Sequence, residues 1–321
     1  MHRYAGSGRV MVGAPIEEVG RRRRPRVGIV LVFGTLVACC LLSGSALAAP
    51  HHRSSGPMPV VAGSQYLALG DSVTFGFEEP QVVPAPNYKD ASSFVGYPEL
   101  LASELHLQLA NAACPGETSS SFLNTSAQSN GCENSIGHPG VGYRTTAPQS
   151  GPLHVSYQGT QLAYGLKYLR THHNVRLVSL MIGANDGLIC LETTKDGCSS
   201  PSELAGVTQL LSQNLHQILK AIRHKAHYKG QLVVVDYFSP LTALNSYTAL
   251  LNTAINAAAR PFGVHIADGY TAFQTAAAQS GANACTAGLL TQLGSPSVCG
   301  IHPSYAGQAI LAGALEKVIH L

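Results

Sequence analysis

The body of this 321-residue chain has no surplus of basic residues. The formal charge of +3 comes from residues 1–48, which hold seven of the 20 Lys and Arg residues and two of the 17 Asp and Glu residues. Beyond residue 48, 13 basic and 15 acidic residues remain. Because that balance leaves no basic stripe for a phosphate backbone, nucleic acid is excluded as a partner.

The chain also lacks an apolar run of the roughly 20 residues that a membrane-spanning helix needs. Its N-terminal apolar run covers residues 27–42, after the basic cluster of residues 21–26 and before a small-x-small triplet that ends at Ala48. This order is typical of a secretory signal peptide, so we expect residues 1–48 to be removed and the protein to be secreted. A retained membrane anchor and lipid attachment at Cys39 are the alternatives.

The cysteines of the body include no Cys-x-x-Cys pair and no histidine at ligand spacing, which makes metal binding the weaker interpretation. Six cysteines follow residue 48, and an even number in an exported chain indicates disulfides. They lie in three successive local pairs, each in a loop rich in Gly, Ser or Asn. The predicted disulfides are Cys114–Cys132, Cys190–Cys198 and Cys285–Cys299. We expect neither a metal nor another cofactor.

Short apolar runs alternate with segments of helical periodicity along the rest of the chain, among them a long helix predicted over residues 201–225 and a last helix that His302-Pro303 is expected to open. The five runs of strand character cover residues 65–70, 107–112, 175–182, 231–236 and 264–267. Such alternation predicts an α/β fold, a three-layer α/β/α sandwich with a five-stranded parallel sheet of flavodoxin-like type. Residues 49–63, rich in Pro, Ser, Gly and His, are expected to be a flexible linker, and residues 64–321 one domain.

A glycine ends the first apolar run, and a serine follows two residues later, in the order Gly70-Asp71-Ser72. Side chains that follow a buried parallel strand lie at the rim of the sheet, where α/β proteins bind ligands. The first backbone N–H groups of the next helix favour negative charge there. This environment suits an acyl-transfer nucleophile, although Gly-Asp-Ser is also a common turn tripeptide.

Three further stretches follow strands or precede helices. They are Gly116 within Cys-Pro-Gly-Glu-Thr, then Gly183-Ala184-Asn185-Asp186, and His302-Pro303. Each alone could relieve a turn or cap a helix. In order with Gly70-Asp71-Ser72, they resemble the four blocks of the SGNH hydrolases, also called the GDSL esterase/lipase family. The resemblance extends from Gln65 to the C-terminus, and the paired cysteines are most similar to those of secreted actinobacterial-type esterases and lipases.

The resemblance implies a carboxylic ester hydrolase that works through an acyl-enzyme. Ser72 matches the family's nucleophile, and His302 matches the base that takes its proton. The implied oxyanion hole consists of the backbone N–H groups of Ser72 and Gly116 and the side-chain amide of Asn185. Each such donor typically contributes on the order of 3 kcal/mol to stabilisation of the transition state.

One element of the family pattern is absent. The family places an aspartate three residues before its histidine, and this chain has Cys299 there. Some group must still accept the Nδ1–H of His302 to fix its tautomer. The backbone carbonyl of Cys299 is the nearest acceptor by spacing, and Asp268 is the rival. We therefore expect a Ser72–His302 dyad supported by a carbonyl.

Lipid or other fatty-acyl esters are the expected substrates, because relatives of similar appearance act on them. Apolar residues in the loop after the nucleophile point the same way, namely Phe75, Phe77, Val82 and Val83. We expect a monomer that contacts lipid surfaces transiently. A carbohydrate acetyl esterase is the alternative enzyme. A binding module that has lost activity is the alternative outside catalysis, suggested by the missing aspartate.

Overall fold

The computed structural model of the chain describes residues 56–146, 150–295 and 298–321. The predicted signal peptide and Cys39 lie outside these residues. Within the predicted linker, Val60 is buried in the core, and its N–H donates to the carbonyl of His320 at 2.8 Å. Because an apolar side chain is buried there, the folded domain begins before residue 64. Composition instead predicts that the domain begins at residue 64.

Five strands form one parallel sheet in the order β2-β1-β3-β4-β5. They are β1 (Gln65–Gly70), β2 (Gln108–Asn111), β3 (Val175–Met181), β4 (Gln231–Val235) and β5 (His265–Ala267). In the register, Leu67 of β1 lies between Ala110 of β2 and Val178 of β3. The central strands are almost entirely apolar because both faces of the sheet are covered. The predicted fold class is confirmed.

The described residues form eight α-helices and several shorter turns of helix. The α-helices are α1 (Ser72–Phe75), α2 (Tyr97–Glu104), α3 (Gln161–Thr171), α4 (Ala184–Thr193), α5 (Pro201–Lys220), α6 (Asn245–Ala259), α7 (Gly269–Ala277) and α8 (Tyr305–Glu316). Short 3₁₀ helices lie at Ala91–Ser93, Thr242–Leu244, Arg260–Phe262 and Ala278–Ser280, and a π-helical turn at Ala221–Lys225 extends α5. Helix α8 contacts α2 and α7, and α5 contacts α6. With right-handed crossovers, these groups cover opposite faces of the sheet.

Two elements lie where the sequence predicts loops. Helix α4 begins inside the Gly183-Ala184-Asn185-Asp186 stretch. An antiparallel hairpin, β6 (Leu290–Ser295) and β7 (Val298–Pro303), occupies the Gly- and Cys-rich segment before α8. The sequence predicts that His302 opens the last helix, whereas the structure has it in β7. The hairpin escapes prediction because its strands are half-exposed and carry no apolar alternation.

The described residues contain three disulfides, with the pairing that the sequence favours. Cys114–Cys132 joins the loop after β2 to the long excursion before α3. Cys190–Cys198 links α4 to the segment that leads into α5. Cys285–Cys299 fastens β7 to the turn before β6. Within the described ranges, no helix combines the length and apolar character that crossing a bilayer requires.

Candidate active site

Three loops meet at one edge of the sheet because their strands are neighbours. Strand β1 lies between β2 and β3, and all three run parallel. Their C-terminal ends therefore deliver Ser72, Gly116 and Asn185 to the same rim. His302 reaches this rim from the hairpin, which is not part of the sheet.

Ser72 is the first residue of α1, and the turn before it is tightly fixed. Gly70 has φ +152°, and a Cβ there would lie 2.4 Å from the carbonyl oxygen of Met181. Asp71 caps the helix by accepting the backbone N–H of Val73 at 3.0 Å. Its other oxygen accepts the hydroxyl of Tyr237 at 2.5 Å. Burial raises the pKa of Asp71 to about 6, against the opposing effect of these hydrogen bonds.

The imidazole of His302 lies beside the Ser72 hydroxyl. The Nε2–Oγ distance is 2.9 Å, between residues 230 positions apart in sequence. The ring of Phe77 packs edge-on against the imidazole, with centroids 5.1 Å apart. The side chain of His302 is largely buried, so the two groups meet in a site that is mostly shielded from water.

The other ring nitrogen of His302 faces a carboxylate that the sequence analysis missed. His302 Nδ1 lies 2.8 Å from Oε1 of Glu79. The same oxygen accepts the backbone N–H of Ile301 at 3.0 Å, and Oε2 accepts the hydroxyl of Thr291 at 2.6 Å. Burial raises the pKa of Glu79, but these partners, His302 foremost, lower it to about 2. Gly300 is required here, since a Cβ would lie 2.2 Å from Oε1.

Neither acceptor proposed from the sequence occupies this position. Asp268 is exposed at the start of α7, where it accepts the N–H of Thr271 at 2.8 Å. The Cys299 carbonyl is not the acceptor either, because the Glu79 carboxylate occupies the space at Nδ1 of His302. Glu79 follows Ser72 by only seven positions, and no motif marks it. The one available signal is an acidic pair, residues 78–79, in the loop that leaves α1.

Gly116 and Asn185 face the same space as Ser72. Gly116 has φ +80°, and a Cβ there would lie 2.3 Å from the carbonyl oxygen of Asn130. The Asn185 side chain is buried, and its Nδ2 donates to the carbonyl of Glu117 at 3.0 Å. An amide nitrogen carries two hydrogens, so one remains for a ligand. Among the described residues, that second hydrogen has no acceptor.

A buried glutamine connects the strand that carries the serine to the loop that carries Gly116. Gln161, the first residue of α3, accepts the N–H of Gly70 at 2.6 Å and donates to its carbonyl at 2.9 Å. The same amide group donates to Glu117 at 3.0 Å, and Glu117 also bonds the hydroxyl of Ser121. Burial raises the pKa of Glu117 well above its ordinary value. The relative position of Gly70 and Gly116 is therefore set by side-chain hydrogen bonds as well as by the sheet.

Asp186 holds the next part of the same loop. It accepts the backbone N–H of Ser119 at 2.8 Å and its hydroxyl at 2.5 Å. The amide of Asn214 donates to that hydroxyl at 3.0 Å. Burial raises the pKa of Asp186 to about 6. Both aspartates next to the site residues thus hold turns rather than face the serine hydroxyl.

Two clefts diverge from the serine and histidine. The first is apolar and extends beneath α4 and α6; its lining includes Val73, Leu188, Leu191, Phe238, Pro240, Leu244, Leu251 and Ile301. The second is more polar; its lining includes Phe77, Gly116, Asn130, Gly131, Ser135 and Tyr143. A molecule with an apolar arm and a polar arm joined at a reactive centre would fit this shape.

The described residues contain two clusters of cysteine and glutamate with metal-like spacing. These are Cys114, Glu117 and Cys132, and Cys190, Cys198 and Glu203. In both, the cysteines form a disulfide and have no thiolate to offer a metal.

The geometry supports nucleophilic chemistry. A hydroxyl bonded to an imidazole, which is itself oriented by a carboxylate, can transfer its proton as it attacks a carbonyl. Donors converging on the same point can stabilise the oxyanion that results.

Comparison with known proteins agrees with this chemistry. A family model described as the GDSL-like lipase/acylhydrolase family matches residues 68–310. No curated protein sequence matches the chain.

Among solved structures, the chain is similar to phospholipase A1 from Streptomyces albidoflavus NA297, at 21% identity and a TM-score of 0.49, over 80% of this chain and 99% of that one. It is also similar to a catalytic mutant of Axe2, an acetylxylan esterase from Geobacillus stearothermophilus, at 16% identity and a TM-score of 0.49, over 81% of this chain and 95% of that one.

Proposed function

Since this chain belongs to the GDSL-like lipase/acylhydrolase family and is a carboxylic ester hydrolase, we propose that it hydrolyses fatty-acyl esters through an acyl-enzyme on Ser72. The observation that carries the proposal is the chain of hydrogen bonds from Ser72 through His302 to Glu79. Glu79 supplies the carboxylate that the sequence motif lacks. The missing aspartate, which suggested an inactive binding module, is therefore no longer an argument for that alternative.

The proposed reaction begins when the Ser72 Oγ attacks the ester carbonyl and its proton passes to Nε2 of His302. The N–H groups of Ser72 and Gly116 and the amide of Asn185 bind the oxyanion. The intermediate then collapses, and the leaving alcohol takes the proton from His302. Water, activated by the same imidazole, attacks the acyl-enzyme and releases the acid.

The apolar cleft supports a fatty-acyl group as the acid part of the ester. It is lined almost entirely by carbon, and burial of each methylene of a chain contributes about 0.8 kcal/mol. The lining comes mainly from α4, α6 and the loop after β4. Of the apolar residues noted after the nucleophile, Phe75 instead packs in a small aromatic core, and Val83 is exposed.

The three disulfides and the predicted signal peptide support a secreted enzyme. Exposed apolar side chains beside the apolar cleft, Leu241 and Ile301, support transient contact with a lipid surface.

Labelling with a fluorophosphonate tests the chemistry. We expect covalent modification of the wild-type protein at Ser72, located by peptide mass spectrometry, and no labelling of Ser72→Ala. A wild-type protein that resists the reagent and hydrolyses no ester would refute the proposal and leave a binding module.

A series of p-nitrophenyl esters from acetyl to lauroyl tests the substrate class. We expect kcat/KM to rise from acetyl to octanoyl by up to about fourfold per buried methylene. Leu191→Phe, which adds bulk to the apolar cleft, should shift the preference to shorter chains. Leu210→Phe, at an exposed position on α5, is the matched control. Preference for acetyl in the wild-type enzyme would favour the carbohydrate acetyl esterase.

A further inference from the structure

One residue touches both loops that carry the oxyanion donors. Asn130 lies in the excursion between β2 and α3, next to Cys132, whose disulfide ties this excursion to the loop after β2. The backbone N–H of Asn130 donates to the carbonyl of Gly116 at 2.7 Å. Its side-chain Nδ2 donates to Oδ1 of Asn185 at 3.2 Å. No motif marks this asparagine in the sequence.

The partners of Asn185 determine which way its amide points. A backbone carbonyl can only accept, so the side-chain atom of Asn185 that faces the carbonyl of Glu117 must be Nδ2. Its Oδ1 then faces Asn130, which must present an N–H donor. If the Asn185 amide rotated by 180°, an oxygen would face the Glu117 carbonyl and two NH₂ groups would face each other. Glu117 and Asn130 together hold the free amide hydrogen toward the serine.

We propose that Asn130 is a positioning residue of the oxyanion hole, which fixes the Asn185 amide through its side chain and the Gly116 loop through its backbone. This inference rests on the proposed function. Asn130 does not carry the charge that develops on the substrate. Its effect is to reduce the reorganisation that the donors undergo when the oxyanion forms.

The proposal is tested by Asn130→Ala, which removes only the side-chain contact. We expect kcat to fall about tenfold, less than the 10²–10³-fold loss typical when a donor itself is removed, because Asn185 stays in place. We expect KM to change less than about twofold, since an interaction made stronger in the transition state affects kcat. Asn130→Asp has a side chain of the same size but replaces the N–H donor by a carboxylate that faces Oδ1 of Asn185. We expect its kcat to fall further than that of Asn130→Ala.

Binding of n-butylboronic acid provides a readout that a purely structural role would not alter. Its tetrahedral serine adduct is an anion, so its affinity should fall in parallel with kcat/KM in both variants. Asn124→Ala is the matched control, because Asn124 is an exposed asparagine of the same excursion whose side chain, among the described residues, accepts only the backbone N–H of Ser126. We expect its kinetics and its melting temperature to equal those of the wild type.

Wild-type kcat and boronic acid affinity in Asn130→Ala would overturn the proposal. A loss confined to KM would also overturn it, since Asn130 would then only bind substrate. If Asn130→Ala fails to fold, the isosteric Asn130→Asp gives the same comparison. Failure of the proposed function looks different, because the wild-type enzyme itself would then show neither hydrolysis nor fluorophosphonate labelling.

Discussion

Glu79 joins the loop after α1, the helix that Ser72 begins, to the hairpin that carries His302. It holds the histidine ring through Nδ1 and the hairpin backbone through Ile301. A carboxylate in this position fixes the tautomer that leaves Nε2 free to accept the serine proton, and it stabilises the imidazolium that forms.

Replacement of this carboxylate should impair catalysis severely. We expect Glu79→Gln to lower kcat by roughly 10³–10⁴-fold, because the amide would favour the wrong tautomer and carries no charge. Asp268→Asn should stay within about twofold of wild type, since asparagine caps a helix as well as aspartate does. Steady-state kinetics on one chromogenic ester compares the two. Loss of activity in Asp268→Asn with full activity in Glu79→Gln would restore the rival acceptor.

At the residue scale, sequence reasoning identified the groups that lie within motifs and missed those that do not. Ser72, Gly116, Asn185 and His302 converge in the structure, although their roles stay predictions. Glu79 could not be predicted, because its partner His302 is 223 positions away and spacing along the chain does not indicate that contact.

The β6–β7 hairpin is the element on which the position of His302 depends. It forms a two-stranded sheet of its own, which an isolated antiparallel bridge between Leu293 and Val82 joins to the loop after α1, and isolated hairpins are marginally stable. Its further attachments include the Glu79 contacts, the Cys285–Cys299 disulfide and contacts of β7 with α1 and α8.

Removal of that disulfide should affect stability and activity together. Its half-cystines are 14 positions apart, so Cys285→Ala with Cys299→Ala should cost about 3 kcal/mol of unfolding free energy. We also expect kcat to fall by at least about tenfold, because a small displacement of the histidine is costly to proton transfer.

The matched control is Cys190→Ala with Cys198→Ala, whose half-cystines are eight positions apart. It should lose a similar amount of stability, about 2.5 kcal/mol, and retain most of its activity. Urea unfolding and kinetics on the same samples separate the two effects. Equal kcat values in both double variants would show that the hairpin holds the histidine without its crosslink.

At the element scale, helices and strands with strong apolar periodicity were predictable to within a few residues. Helix α5, predicted over 201–225, is an α-helix to Lys220 and a π-helical turn to Lys225. The hairpin and α4 were missed because disulfides and contacts with the rest of the molecule stabilise them, and their own sequence pattern does not.

The whole molecule buries several carboxyl groups without a basic partner. Burial raises the pKa of Asp71, Asp186 and Asp236 to about 6 each, from an ordinary value of 3.8. Between these values the folded protein binds more protons than the unfolded chain, so stability falls as pH rises. Glu79 acts in the opposite direction: its contribution is present above 4.5 and is lost as pH falls through about 2.

Burial also raises the pKa of Glu99 to about 7 and that of Glu117 to about 8. We therefore expect the melting temperature to be highest in mildly acidic buffer and to decline from about pH 4.5 to about pH 8. Thermal unfolding followed by circular dichroism at constant ionic strength measures this. Asp186→Asn keeps an acceptor for Ser119 but cannot ionise, so the melting temperature of this variant should decline less steeply with pH. A melting temperature that rises across this interval would contradict the assignment.

At the scale of the whole chain, the α/β alternation was sufficient to predict the sheet and its helical layers. Parallel strands buried on both faces leave a strong apolar signal. Charge counting described the composition of the body correctly but could not place the buried carboxyl groups, because their surroundings come from distant segments.

The contact between Glu79 and His302 has a consequence for the order of events during biosynthesis. A ribosome makes Ser72 230 positions before His302, so under the proposed mechanism a growing chain holds for a time a hydroxyl without its base. Under that mechanism, hydrolysis can start only when the β6–β7 hairpin has been made and has docked. Recovered turnover after refolding is therefore a late signal, which should lag behind the return of secondary structure.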